Sequence, residues 1–211
     1  MKTSIIFFGA GKFGAETLLI LSQSNNYSID LVVTSPLKKQ GRNRKIVDSP
    51  IDTIAKKNGI QVIRPEKIDS QFIKKIQSYK SEIGILVNSS HFLPEDLIKV
   101  FPNKIINIHP SLLPKHRGPS PIQTALLDGD RVTGITIMEI TKNLDAGPII
   151  AQYPIHIDSK DNLVSLTKKL QTISANSIHS ILQKILNKEL YYERQNGDLA
   201  TYTKKINKND G

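Results

Sequence analysis

The stretch Ile5-Ile6-Phe7-Phe8-Gly9-Ala10-Gly11-Lys12-Phe13-Gly14 decides the fold class. Four apolar residues run straight into glycines, which reads as a short strand buried on both faces. A helix-like segment from Ala15 to Ser22 follows, with Leu18, Leu19 and Leu21 on or near one face. The same rhythm continues outward. Apolar, strand-like runs cover 29–34, 61–63, 83–87 and 104–108; helical spacing covers 51–58, 68–79, 94–100 and 121–127. Strands that alternate with helices indicate an α/β protein with an open, mostly parallel, Rossmann-like sheet and helices on both faces. Further on, 132–140 and 148–157 form a β-rich pair that adds antiparallel edges. Residues 162–186 form a long amphipathic helix.

The glycine turn fits the G-x-G-x-x-G spacing. The dinucleotide fingerprint also requires an acid about 20 residues on, at the end of the second strand. Here Leu31-Val32-Val33 runs into Thr34-Ser35-Pro36, and Asp30 precedes the strand. An NAD-dependent dehydrogenase would therefore lack its ribose partner. The turn is read as a tight strand-to-helix connection that needs small residues.

Composition sets outer bounds. The chain has 211 residues, 38% of them hydrophobic, which is enough for one good-sized domain with its own core. No apolar run approaches the ~20 residues of a membrane span. Cysteine is absent, which excludes disulfides, thiolate–zinc sites and a thiol nucleophile, and fits a cytoplasmic protein. The net charge of +10 admits either lysine-rich solubility or a polyanionic partner such as RNA.

Chemistry is concentrated in Asn107-Ile108-His109-Pro110-Ser111-Leu112-Leu113-Pro114, which ends an apolar strand. Asn107 and His109 are two apart, so their side chains face one way, at the carboxyl end of the sheet where open α/β folds bind ligands. Asp145 follows another β-rich segment and precedes Ala146-Gly147-Pro148, a turn suited to presenting a carboxylate. A carboxylate beside His109 would favour the imidazolium, a good donor to a developing oxyanion. Asn107 adds a neutral donor and a carbonyl acceptor. The three together suit acyl transfer to an amine that attacks directly. Ser111 lacks the elbow of a nucleophilic serine and is expected to be structural.

These residues resemble the 10-formyltetrahydrofolate-dependent formyltransferases, and the resemblance covers nearly the whole chain. Its motifs are Asn107-x-His109-x-Ser111-Leu-Leu-Pro114 and Asp145-x-Gly147, with Arg117-Gly118, Pro121-Ile-Gln123, Thr133–Met138 and the tail from Leu199 pointing to the tRNA-acting branch. The resemblance implies the formyltransferase fold and formyl transfer from 10-formyltetrahydrofolate to the α-amino group of initiator methionyl-tRNA. Asn107, His109 and Asp145 would be catalytic. Ser111, Leu112, Leu113 and Pro114 would line the folate site. Groups at 87–90 and 141–144 would read the pterin, although Asn88-Ser89-Ser90-His91 departs from the family's usual glycine-containing segment. The implied partners are the tRNA and the folate co-substrate, with no metal, no membrane and a monomeric state.

Lys38-Lys39-Gln40-Gly41-Arg42-Asn43-Arg44-Lys45 holds five cations in eight residues. Such a run is usually a solvated loop. By the resemblance, Arg42, Arg44 and Lys45 would bind tRNA phosphates. The same resemblance divides the chain into a catalytic domain, 1–190, and a polar linker, 191–211, leading toward a tRNA-binding barrel domain that the chain lacks. Two alternatives stay open: a formyltransferase acting on an amino sugar nucleotide or glycinamide ribonucleotide, and a non-catalytic RNA-binding module on the same fold.

Overall fold

The computed structural model describes residues 2–37, 39–40, 45–89 and 91–206, with the backbone alone for 39, 40, 45 and 46. The chain divides into two compact units, Met1–Ile106 and Asn107–Gly211.

In the first unit the opening apolar run becomes β1 (Thr3–Gly9), with Ile5, Ile6, Phe7 and Phe8 all fully buried. The glycine turn leads into α1 (Gly11–Ser22), which starts earlier than the expected Ala15. Then follow β2 (Tyr27–Val33), the short antiparallel pair β3 (Lys39–Gln40) and β4 (Lys45–Ile46), α2 (Pro50–Lys57), β5 (Val62–Ile63), α3 (Ser70–Ser78), β6 (Ile83–Val87) and α4 (Glu95–Ile98). The strand order β5-β2-β1-β6 is parallel throughout. This is the arrangement expected of uniformly apolar strands joined by helical crossovers. α2 shows why its boundaries are legible. Ser49 caps it and forms a reciprocal box with Asp52, Pro50 takes the first helical position, and Lys56 and Lys57 sit in the last turn. Asp52 is buried and also pairs with Arg64.

The chain passes from the first unit to the second within β7 (Ile105–His109). The second unit holds α5 (Pro121–Leu127), β8 (Val132–Glu139), β9 (Ile149–His156) and α6 (Leu163–Leu186). Its strands follow the order β7-β8-β9, and β8 pairs antiparallel with β9, as the β-rich sequence pair predicted. Asn162 caps α6 through a reciprocal box with Ser165. Among the described residues no helix is long and apolar enough to cross a membrane.

The segment read as a linker makes specific contacts over its described part. Glu193 exchanges two backbone hydrogen bonds with Ile149, while the Arg117 N–H donates to the Thr201 carbonyl and the Arg117 carbonyl accepts the Thr203 N–H. Arg42 and Arg44 lie outside the described residues, and of Lys45 only the backbone is described.

Candidate active site

All three sequence-predicted catalytic residues lie in the second unit, and the structure brings them together. β7 is buried along its length, and Asn107 and His109 are each 4% exposed at its end. The Asn107 Nδ2 amide donates to Asp145 Oδ1 over 3.3 Å. His109 Nδ1 lies 3.7 Å from Asp145 Oδ2. The same Oδ2 accepts the Gly118 backbone N–H at 2.8 Å. Asp145 is thus held from two sides beside the imidazole.

Asp145 sits at φ +46, in the left-handed region that non-glycine residues rarely adopt. Two glycines make this placement possible. A Cβ on Gly147 would lie 1.8 Å from the Glu139 carbonyl, so the turn closes against β8 only with glycine there. Gly118 has φ +111, and a Cβ there would meet Thr203 Oγ1 at 2.9 Å and the Thr203 carbonyl at 3.0 Å.

The loop between Pro110 and Ser120 is held by hydrogen bonds within itself and to β8 and β9, with the Leu113 side chain packed in the core. The Ser111 hydroxyl, fully buried, donates to the Lys115 carbonyl at 2.6 Å. Thr136 Oγ1 donates to the Ser111 carbonyl at 2.6 Å and accepts the Leu113 N–H at 3.0 Å. Gln152 donates to the Leu113 carbonyl at 2.8 Å. The Leu113–Pro114 bond is cis, and the Leu113 side chain joins a buried cluster with Met138 and Ile149. Leu112 and Pro114 are half-buried. Of the expected pterin readers, Asn88 donates to the Ala10 carbonyl at 3.2 Å and Ser89 Oγ accepts the His91 N–H at 3.2 Å. Ser90 lies outside the described residues. Leu144, in the other expected segment, is exposed.

The charge state of His109 differs from the sequence expectation. Asp145 does raise its pKa, as does the hydrogen bond to the His116 carbonyl. Burial lowers it by more, so the net direction is down from 6.5 and the ring is neutral near pH 7. The tautomer follows from the partners. His109 Nε2 lies 2.9 Å from the His116 carbonyl, which can only accept, so Nε2 carries the proton. Nδ1, toward Asp145, is left as the basic nitrogen.

The sequence reading missed several supports. His116 is buried at φ +58, and its Nε2 lies 2.7 Å from Asp130 Oδ2. Burial alone would raise the Asp130 pKa, but hydrogen bonds from His116 and Lys115 hold it below 3.8. Gln195 and Thr203 also reach this loop. Nothing in their polar surroundings marks them; only the tail motif hinted that the stretch mattered.

Among the described residues, an amide, an imidazole and a carboxylate meet at a strand end of an α/β sheet, an arrangement that suits direct acyl transfer to a nitrogen nucleophile. The chain belongs to the formyl transferase family, whose pattern matches residues 1–182. It is 38% identical to the methionyl-tRNA formyltransferase of Thermodesulfovibrio yellowstonii, over 100% of this chain and 68% of that protein. It is likewise 38% identical to the enzyme of that name from Buchnera aphidicola subsp. Baizongia pistaciae, over 98% of this chain and 64% of that protein. The chain therefore spans about two thirds of the length of these relatives. Among solved structures, the phosphoribosylglycinamide formyltransferase of Bacillus halodurans matches with a TM-score of 0.74 at 25% identity, over 89% of this chain and 97% of that one. An N-formyltransferase from Helicobacter canadensis, solved with folinic acid and dTDP-3-aminofucose, matches with a TM-score of 0.74 at 20% identity, over 100% of this chain and 72% of that one. Both share the open α/β fold.

Proposed function

We propose that this protein transfers a formyl group from 10-formyltetrahydrofolate to the α-amino group of methionyl-tRNA, in the cytoplasm. The observation that carries this reading is the 38% identity to methionyl-tRNA formyltransferases along the whole chain, joined to a site whose three polar groups meet as the reaction needs.

The amine of the aminoacyl ester attacks the formyl carbon. A C–N bond forms and the carbonyl electron pair moves onto oxygen. The Asn107 N–H that does not face Asp145 is the donor for that oxyanion. His109 Nδ1 takes the proton from the attacking nitrogen, since Nε2–H is fixed on the His116 carbonyl. The imidazolium so formed lies 3.7 Å from Asp145 Oδ2, which stabilises it. Collapse of the tetrahedral species breaks the bond to the folate nitrogen, and His109 returns the proton to that nitrogen. His109 thus begins as a base and ends as an acid, which a burial-lowered pKa favours over a permanent imidazolium.

In this reading the Ser111–Pro114 loop lines the folate site. Ser111 and Leu113 shape it from inside, and Leu112 and Pro114 supply its half-buried surface. The cations Arg42, Arg44 and Lys45 are proposed from sequence alone to contact tRNA phosphates. The test offers labelled 10-formyltetrahydrofolate with three acceptors: methionyl-tRNA, glycinamide ribonucleotide and a dTDP-linked amino sugar. Formylation of methionyl-tRNA is expected. Formylation of a nucleotide acceptor alone would overturn the choice of acceptor, and transfer to none of the three would overturn the reaction.

A further inference from the structure

We infer that Gln195 is a positioning residue of this reaction, whose side-chain amide fixes the Asp145–Gly147 turn and so keeps the Asp145 carboxylate against His109 and Asn107. The inference rests on the function proposed above and concerns a residue outside the family match at 1–182.

Gln195 Nε2 donates to the Asp145 carbonyl at 2.9 Å and to the Gly147 carbonyl at 2.8 Å. Its Oε1 accepts from Arg117 Nε at 3.1 Å and Arg117 Nη2 at 2.7 Å. Carbonyls can only accept and a guanidinium can only donate, so the partners fix which way the amide points. Both N–H groups and both lone-pair sites of the amide are used. Arg117 is itself 5% exposed, and Tyr202 takes its Nη1 at 3.1 Å. A buried guanidinium polarises the amide and strengthens its two donations to the turn.

That turn needs holding. Asp145 stands at φ +46, a conformation that an aspartate leaves unless its surroundings over-determine it. Its side chain is held by Gly118 N–H and its backbone carbonyl by Gln195. Both supports return to one stretch of chain. Thr201 and Thr203 clamp the Arg117 backbone at 2.9 and 2.7 Å, and Thr203 Oγ1 accepts the Ser120 N–H at 3.1 Å. The functional unit around Asp145 therefore runs on to Thr203, past the boundary at 190 expected from sequence.

The experiment compares wild type, Gln195→Met, Gln195→Ala, Asp145→Asn and the Gln195→Ala/Asp145→Asn double variant. Methionine fills the volume of glutamine without its donors. Formyl transfer to methionyl-tRNA is measured under saturating conditions, with circular dichroism as the check on folding. Both Gln195 variants are expected to lose roughly 10- to 100-fold in kcat, with KM within about twofold, the scale of a misplaced catalytic group. The double variant should be no slower than Asp145→Asn, because Gln195 acts through Asp145. Histidine-labelled NMR supplies a readout independent of turnover: the His109 midpoint should fall in Gln195→Met toward its value in Asp145→Asn. Unchanged kcat and an unchanged His109 midpoint would overturn the inference, as would a fully multiplicative loss in the double variant. Failure of both Gln195 variants to fold would make the residue a general structural one and also overturn it. An inactive wild type would count against the proposed function, and the His109 midpoint would still decide the role of Gln195.

Discussion

Among the described residues of the first unit, the non-glycine ones at positive φ are Lys80, Asn88 and Lys104, all exposed where elements end. In the second unit they include His116, which is buried, and Asp145, which carries its carboxylate to within reach of a buried histidine. Buried polar side chains divide the same way. The first unit buries Thr17, Thr34, Asp52 and Ser81, and Asp52 serves a helix cap and an ion pair. The second buries Asn107, His109, Ser111, His116, Arg117 and Ser120 within one strand end and its loop. Strain and buried polarity cost stability wherever they occur, so their concentration in the second unit marks where chemistry has been placed. The first unit also carries the glycine-rich turn that resembles a dinucleotide site, yet its described residues show no comparable polar cluster. A motif with glycine spacing alone was the weaker signal.

Substitutions sharpen the contrast. His109→Ala removes the base and is expected to lower kcat/KM on the order of a thousandfold. Single-turnover formylation checks it. Asn107→Ala removes one oxyanion donor and should cost on the order of a hundredfold in kcat. Gly118→Ala sets a Cβ 2.9 Å from Thr203 Oγ1 at φ +111. It should destabilise the protein by about 2 kcal/mol in urea titration and lower kcat about tenfold by loosening Asp145.

The pH dependence has a definite sign. Burial depresses the His109 pKa, so the acid limb of kcat/KM should lie below 6.5. Asp145→Asn removes a contribution that raises it and should move any residual limb lower still. In the unfolded chain the same histidine titrates normally. Its contribution to stability is therefore fully present above 6.5 and is lost as pH falls from there through the lower folded-state value, the interval in which the unfolded state binds the proton and the folded state does not. Thermal melts across pH 5–8 of wild type and His109→Ala would isolate this dependence. The smallest effect belongs to the first unit: Ser49→Ala removes a helix cap and should cost about 1 kcal/mol while leaving turnover within about twofold.

Much of the fold was legible because its signals are local. The apolar runs at Ile5–Phe8 and Ile83–Val87 and the capped helices at Ser49 and Asn162 declare themselves within a few residues. The β3–β4 pair was not, since its two-residue strands lie in a polar, basic stretch without alternation. At the site, the spacing of Asn107 and His109 on one strand and the turn after Asp145 pointed to the three side chains that the structure brings together. The charge state of His109 did not follow, because it depends on how deeply the end of β7 is buried. Gln195 and Thr203 were illegible for a related reason: they act through hydrogen bonds that span 48 to 86 positions, from a segment with no hydrophobic period.

The most direct test of the central claim is single-turnover formylation of methionyl-tRNA by wild type and Asp145→Asn, with 10-formyltetrahydrofolate as donor. The geometry predicts formylmethionyl-tRNA from wild type and a loss of about a hundredfold or more in the variant, with its secondary structure intact. Equal rates from the two proteins, or no product from wild type, would contradict the assignment of formyl transfer to the Asn107–His109–Asp145 site.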